Sequence, residues 1–137
     1  KNKITTMAVT FTPTLTLSST TTGTDALSFS VTKDITLGDN DVRVTRTYSP
    51  NDVDPGGVQI FDTNLGKSYI YVKNVHASLT IYLTAAADTA ESAAWVELAA
   101  GEFAFFPWAG VADIFANTGD NGAGIATAGL EVTIFEA

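Results

Sequence analysis

Residues 101–108 read Gly-Glu-Phe-Ala-Phe-Phe-Pro-Trp and place four aromatic side chains in six consecutive positions. The chain of 137 residues contains 2 Trp, 4 Tyr and 8 Phe, so this stretch is strongly enriched in aromatic residues. Aromatic residues favour β-strands, and successive side chains of a strand point to opposite faces of the sheet. The direction of these side chains therefore decides between a core strand and an interface strand.

The two faces of this predicted strand differ in composition. One face carries Phe103, Phe105 and Pro107, is apolar throughout, and is predicted to lie in the core of the subunit. The other face begins with a glutamate and ends with Phe106 and Trp108, which we expect to contact a neighbouring protein. Because proline cannot donate a hydrogen bond to the ladder, Pro107 predicts a sheet edge or the end of regular pairing.

The first third of the chain is rich in threonine, with 14 of the 21 threonines before residue 51. Residues 9–17 alternate apolar side chains with Thr, a period-two pattern that indicates a half-buried strand. Pro13 lies in the middle of this pattern and predicts an edge strand or a break. We expect residues 1–24 to form an extended Thr-rich N-terminal arm or an edge strand.

Two later segments alternate in the same way and leave single aromatic residues on their outer side. Leucine and isoleucine at positions 79, 81 and 83 are predicted to point inward, which leaves Tyr82 outward. The apolar residues at 130, 132 and 134 are predicted inward, which leaves Phe135 outward. Several outward aromatic side chains predict a patch that contacts a partner, and loops that fold over them are the alternative.

About ten short strands at roughly ten-residue spacing, with no convincing helix, indicate an all-β fold. The sequence Asn-Asp-Val-Asp-Pro-Gly-Gly at residues 51–57 is the strongest break, and we expect it to divide two groups of strands rather than two domains. Residues 85–94 lack large apolar side chains and are predicted to form a loop. The fold class is therefore an antiparallel β-sandwich or jelly roll, with residues 1–137 as a single domain. The predicted strands are 9–17, 27–31, 42–46, 58–61, 69–75, 79–83, 95–98, 103–108, 111–116 and 130–135.

Charge is unevenly distributed along the chain. Residues 1–50 carry five basic and four acidic side chains, whereas residues 51–137 carry two basic and eleven acidic ones, for a net charge of −8. Nucleic acids are therefore poor candidate partners, because affinity for phosphate comes chiefly from Lys and Arg. The chain contains no run of 18 or more apolar residues, so no membrane span is predicted. The nearly neutral first third, with Arg43 and Arg46, is the candidate for docking on an acidic neighbour.

Few residues suit catalysis. His76 is the only histidine and the chain has no cysteine, so a Ser-His-Asp triad could form only around His76. It lies in a predicted tight connection between two strands, where an exposed or locally hydrogen-bonded histidine is expected. A zinc site would need three carboxylates beside this histidine, and nothing selects a carboxylate pair for glycoside hydrolysis. We predict that the protein is not an enzyme.

Two short acidic runs could bind a hard cation. Asp-Asn-Asp at residues 39–41 and Asp-Val-Asp at residues 52–54 could supply oxygen ligands for Ca²⁺. Neither run has the spacing of a dedicated calcium loop, and Asp and Asn are common turn residues because their side chains bond the nearby backbone. We predict turns there, with no metal and no cofactor, and Ca²⁺ binding stays the alternative.

Sugar binding is a rival to protein binding. Trp95, Trp108, Tyr82 and Tyr71 could stack on sugar rings, with Asp and Asn as partners for hydroxyl groups. Aromatic residues of a β-sandwich more often belong to the core or to a subunit interface, so a carbohydrate-binding module is the second hypothesis.

The second half of the chain resembles small virion proteins of tailed bacteriophages. The residues that carry the resemblance are Tyr-Ile-Tyr-Val-Lys-Asn at 69–74, the alternating strand at 79–83, Gly-Glu-Phe-Ala-Phe-x-Pro-Trp at 101–108 and the closing strand at 130–137. The likeness covers residues 58–137 and is weaker in the Thr-rich first third. None of these residues is a catalytic signature.

This resemblance implies a β-sandwich structural protein located in the virion. The expected function is a capsid decoration (cement) protein that acts through protein–protein contacts; a tail, fibre or knob component is the alternative. The implied partners are capsid or tail proteins of the same virion and further copies of the chain, with a trimer favoured. The interface candidates are Phe106, Trp108, Tyr82, Phe135, Arg43 and Arg46.

Overall fold

A computed structural model describes residues 10–19, 28–37, 43–48, 57–85, 93–118 and 129–137, with only the backbone described for residues 43–48. In these ranges the chain forms twelve strands and a turn of 3₁₀-helix at Thr63–Leu65. The prediction of an all-β fold is confirmed. None of the helices in the described ranges is long and apolar enough to cross a membrane. The chain divides into two compact units, residues 1–41 with Ala137 and residues 42–136.

The first unit contains two pairs of antiparallel strands. Strand β1 (Thr10–Phe11) pairs with β4 (Ile35–Thr36), and β2 (Thr14–Ser18) pairs with β3 (Ser28–Thr32). Pro13 separates β1 from β2, so the break expected at this proline is confirmed. The backbone carbonyl of Pro13 accepts a hydrogen bond from the Lys33 N–H at 3.4 Å.

The second unit contains two four-stranded antiparallel sheets. The first sheet has the strand order β10-β7-β12-β5, and the second has the order β6-β11-β8-β9. The strands are β5 (Arg43–Tyr48), β6 (Val58–Phe61), β7 (Ser68–Asn74), β8 (Ile81–Thr84), β9 (Val96–Leu98), β10 (Phe103–Trp108), β11 (Ile114–Asn117) and β12 (Leu130–Glu136).

Both sheets bury apolar side chains in one common core. Alternation in β7 and β12 sends every second side chain into this core, as the pleat requires. The buried residues are Ile70, Val72, Leu130, Val132 and Ile134 of the first sheet and Ile60, Phe61, Ile81, Leu83, Leu98, Ile114 and Ala116 of the second. The second unit is therefore a β-sandwich, as predicted, while the finer assignment to a jelly roll stays a prediction.

Two strands begin two or three residues later than their sequence patterns predict. The strand predicted at residues 111–116 begins at Ile114, because residues 109–113 form an irregular loop. In this loop Val111 is 82% exposed, and the carbonyl of Ala112 accepts a hydrogen bond from the Trp108 indole N–H at 2.9 Å. The strand predicted at residues 79–83 begins at Ile81. A prediction from apolar composition alone therefore places the first residue of both strands too early in the chain.

Asn74, the last residue of β7, is fully buried and hydrogen-bonded on every side. Its side-chain Nδ2 donates to the carbonyls of Leu79 at 2.7 Å and Leu98 at 2.8 Å. Its Oδ1 accepts the N–H of His76 at 2.9 Å. Since Leu98 belongs to the second sheet, one amide side chain links the two sheets and the loop that follows β7.

We expect Asn74→Ala to lower the free energy of unfolding by about 3 kcal/mol or more. The substitution leaves the buried carbonyl of Leu98, the partly buried carbonyl of Leu79 and the partly buried N–H of His76 without this partner, and an unsatisfied buried group costs about 1–3 kcal/mol. Urea unfolding measures the change. Asn64→Ala is the matched control, because Asn64 is exposed and its side chain bonds the neighbouring Asp62. Equal losses in the two variants would contradict a structural role for Asn74.

Candidate protein-contact surface

The faces of β10 are the reverse of those expected. Phe103 is 62% exposed and Phe105 is 39% exposed, so the prediction that both lie in the core is wrong. Ala104, Phe106 and Trp108 are half-buried and pack against the core of their own subunit. Phe106 and Trp108, the two residues expected to contact a neighbour, thus point toward the core of their own subunit and are partly exposed, and their contact with a neighbour stays a prediction.

The pairing of β10 with β7 explains this reversal. Ala104 lies opposite Val72 and Phe106 lies opposite Ile70. Residues directly opposite each other in an antiparallel pair share a face of the sheet. Because Ile70 and Val72 are fully buried, the even-numbered residues of β10 point into the sandwich with them. Strand β10 is an edge strand of its sheet, so the edge predicted from its proline is confirmed.

Phe106 and Trp108 belong to an aromatic cluster at one edge of the sandwich. Trp95, just before β9, stacks on Trp108 with ring centroids 5.3 Å apart and an interplanar angle of 12°. The Trp95 ring also meets Phe106 edge-on at 5.1 Å. Since β9 and β10 are edge strands of different sheets, these three rings close the side of the core where the two sheets end.

The outer side of the first sheet carries a second group of aromatic residues, which we call the aromatic face. Tyr69 and Phe105 are stacked, with centroids 6.1 Å apart and planes 12° apart. Tyr71 lies 6.2 Å from Phe103, and Phe135 meets Phe105 edge-on at 6.5 Å. The aromatic face therefore consists of Phe103, Phe105, Tyr69, Tyr71 and Phe135, contributed by β10, β7 and β12.

Charged residues border the aromatic face at one end. In the register, Phe103 lies opposite Lys73, and Lys73 lies opposite Glu131 on β12. Both charged residues are half-buried at positions equivalent to those of the outward aromatic residues. An apolar aromatic centre with a polar border is the composition typical of protein–protein interfaces.

The other interface candidates lie in different places. Phe135 belongs to the aromatic face, and its predicted outward direction is confirmed. Tyr82 is half-buried between the buried Ile81 and Leu83 on β8, in the other sheet. Arg43 and Arg46 lie on β5, opposite Phe135 and Val132 in the register, and their side chains are outside the described part.

Sequence reasoning missed the most exposed members of this surface, Phe103 and Phe105. The sequence suggests Tyr71 only as a platform for sugars and assigns Tyr69 no contact of its own. The alternation in β7 could have located both tyrosines, because Tyr69 and Tyr71 share a face with the charged Lys73, which is expected to point outward. The pairing of β7 with β10 then extends that side to Phe103 and Phe105.

His76 has a local structural role. Its Nδ1 accepts the backbone N–H groups of Ser78 at 3.2 Å and Leu79 at 3.0 Å, which shapes the loop after β7. Among the residues that the structure describes, no group of three or more His, Asp or Glu side chains is placed to hold a metal ion. Both acidic runs, residues 39–41 and 52–54, lie outside the described ranges.

An open depression of about 500 Å³ lies beside the start of β10. Phe103 and two carboxylates, Glu97 and Glu102, contribute to its wall. The Glu102 carboxylate accepts the backbone N–H of Ala99 at 2.8 Å, so it stabilises the turn between β9 and β10. This depression adjoins the aromatic face through Phe103.

Comparisons of the chain with protein-family models, with curated proteins and with solved structures found no match. The described surface itself supplies the chemistry from which a function can be proposed. Exposed aromatic rings on a rigid sheet can dock against a complementary apolar surface, with Lys73 and Glu131 available to orient the partner.

The two faces of β10 are expected to respond differently to truncation. Phe106→Ala removes a ring packed on the core and should lower the free energy of unfolding by about 2–3 kcal/mol. Phe103→Ala removes a largely exposed ring and should change it by less than about 1 kcal/mol. Urea unfolding of both variants compares the two effects, and a greater loss for Phe103→Ala would contradict the observed orientation of β10.

Proposed function

We propose that the chain is a virion structural protein that acts through protein–protein contacts, most specifically a capsid decoration (cement) protein of a tailed bacteriophage. The observation that carries this proposal is the aromatic face, where five aromatic side chains cover the outer side of three adjacent strands. Aromatic side chains are enriched in the cores of protein interfaces, and Tyr is among the residues whose removal costs the most binding energy.

The geometry of the aromatic face suits a protein partner. The aromatic residues belong to β10, β7 and β12, so the hydrogen bonds of the sheet hold their backbone positions before a partner binds. A surface ordered in advance loses little conformational entropy on binding. Phe103, the most exposed ring, lies beside the charged border, where an apolar contact and an ion pair can be made by the same partner.

The sequence resemblance and the aromatic face involve the same residues. The resemblance rests on Tyr-Ile-Tyr-Val-Lys-Asn at 69–74 and on Gly-Glu-Phe-Ala-Phe-x-Pro-Trp at 101–108. The aromatic residues at the first and third positions of the former, and at the third and fifth positions of the latter, all belong to the aromatic face. This coincidence supports a phage structural role in which capsid or tail proteins of the same virion are the partners.

Two alternatives differ in what the aromatic face contacts. A tail, fibre or knob protein would use the same face against a tail component. A carbohydrate-binding module would use exposed rings against sugars, and the stacked pair of Tyr69 and Phe105 offers a flat surface for that purpose. Trp95 and Trp108 stack on each other, so that pair is the weaker sugar platform of the two.

A decoration protein is expected to be present in many copies on purified particles. Mass spectrometry and immunogold electron microscopy of gradient-purified virions from the source phage measure its abundance and place it on head or tail. Label on the heads supports the decoration role, and label on the tails supports the alternative of a tail protein. Absence from the particles would contradict both.

The aromatic face is tested by adding purified protein to particles that lack it. Phe103→Ser/Phe105→Ser should weaken binding by at least about tenfold, because each buried aromatic contact contributes on the order of 1–2 kcal/mol. Val111→Ser is the matched control, since Val111 is also an exposed apolar residue but lies outside the aromatic face. Unchanged binding of the double variant would contradict this use of the face. Binding to a glycan array that the double variant loses, with no binding to particles, would favour the carbohydrate alternative.

A further inference from the structure

Strands β2 and β3 form a two-stranded antiparallel ribbon with one apolar side, which we call the ribbon. Leu15 lies opposite Val31 and Leu17 lies opposite Phe29, so the four side chains share one face. All four are between 45% and 49% exposed. Large apolar side chains are therefore concentrated on one side of a short ribbon and remain accessible.

The opposite side of the ribbon consists only of small hydroxyl residues. Hydroxyl groups of Thr16 and Ser30 approach to 3.5 Å across the strands. The residues of this side are Thr14, Thr16, Ser18, Ser28, Ser30 and Thr32. Neither strand contains an ionisable side chain, so the ribbon is uncharged on both faces.

A two-stranded ribbon is marginally stable in water without further strands or a packed face. Covering the apolar face of this ribbon would remove four half-exposed side chains from water. A second ribbon of the same size could pack on this face. The result would be a two-layered structure of four strands, with the layers about 10 Å apart as in packed sheets.

We propose that the apolar face of the ribbon packs against the ribbon of a second copy of this chain. The pattern of side chains is self-complementary about a two-fold axis that runs between the ribbons and across the strands. This axis places Leu15 of one copy over Leu17 of the other, and the large Phe29 over the smaller Val31. A two-fold contact needs only this one patch, because the same residues serve both copies.

The charge distribution favours a second copy over a charged partner. The chain has a net charge of −8, so most approaches between two copies bring carboxylates together. Contact through the ribbon avoids this repulsion, because residues 14–18 and 28–32 contain no charged side chain. A strongly acidic or basic partner would find no complementary charge on the ribbon.

The contact is small, so the expected association is weak. Four side chains per copy amount to less than the standard protein interface, and a dissociation constant on the order of 100 µM is expected for isolated copies. Copies held side by side by another surface would bind much more strongly through the same contact, because their effective concentration is in the millimolar range.

A charge-swap experiment tests the pairing of ribbons. Leu15→Lys and Leu17→Glu, at the two positions that the two-fold axis places over each other, are each introduced in the Phe103→Ser/Phe105→Ser background, which removes the contribution of the aromatic face. Sedimentation equilibrium at up to about 1 mM protein should show a monomer–dimer equilibrium for the background protein. Each charged variant alone should be monomeric at the same concentration, and an equimolar mixture should restore the dimer. Val111→Lys and Val111→Glu are the matched controls and should leave the equilibrium unchanged.

The chain contains no cysteine, so one introduced thiol gives an independent measurement. Leu17→Cys should form a covalent dimer with a bismaleimide whose span is about 10 Å, the separation of packed sheets. Val111→Cys should not. A background protein that stays monomeric, a mixture that fails to re-form the dimer, or a trimer in place of the dimer would each overturn the pairing. Because the inference rests on the ribbon alone, these outcomes leave the abundance of the protein on particles unaffected.

Discussion

The buried amide of Asn74 is the constraint on which the arrangement of the sandwich depends. Its side chain bonds the carbonyl of Leu98 in the second sheet and that of Leu79 in the loop after β7. Its backbone N–H and C=O bond Glu102 and Gly101 at 2.9 and 3.0 Å. Those backbone bonds fix the start of β10 against the end of β7. Once Phe103 lies opposite Lys73, every later residue of β10 has its face assigned. The hydrogen bonds at Asn74 therefore set the register of β10 on β7, and the buried residues of β7 set which face of β10 is inward.

Local patterns in the sequence predict most strands because each depends on its own alternation. The break at Pro13 and the edge position of β10 also follow from local chemistry, since proline lacks the N–H that a ladder requires. Local chemistry does not predict which face of β10 is inward, because aromatic residues occupy both sides of that strand. The choice is made by β7, about thirty residues earlier in the chain, whose buried Ile70 and Val72 determine which side is inward. A pattern read within one strand contains no information on that pairing.

The two exposed apolar surfaces have different chemistry and therefore suit different partners. The aromatic face is bordered by Lys73 and Glu131, so a partner must match both its shape and its charges. Such a border discriminates among partners. The ribbon has no charged side chain that a partner must complement. Its two cross-strand pairs are Leu15 with Val31 and Leu17 with Phe29, and the first pair of one copy can pack on the second pair of another. Contact with an identical ribbon is the simplest use of a surface of that kind.

The uses proposed for these two surfaces can reinforce each other. If the aromatic face holds many copies on a particle, the local concentration of ribbons rises far above that in solution. A contact with a dissociation constant on the order of 100 µM is then largely occupied, because effective concentrations between tethered sites reach the millimolar range. On the two proposals together, weak pairing through the ribbon has a physical advantage: free copies with a net charge of −8 would stay apart, and assembly would begin only where a partner had gathered them.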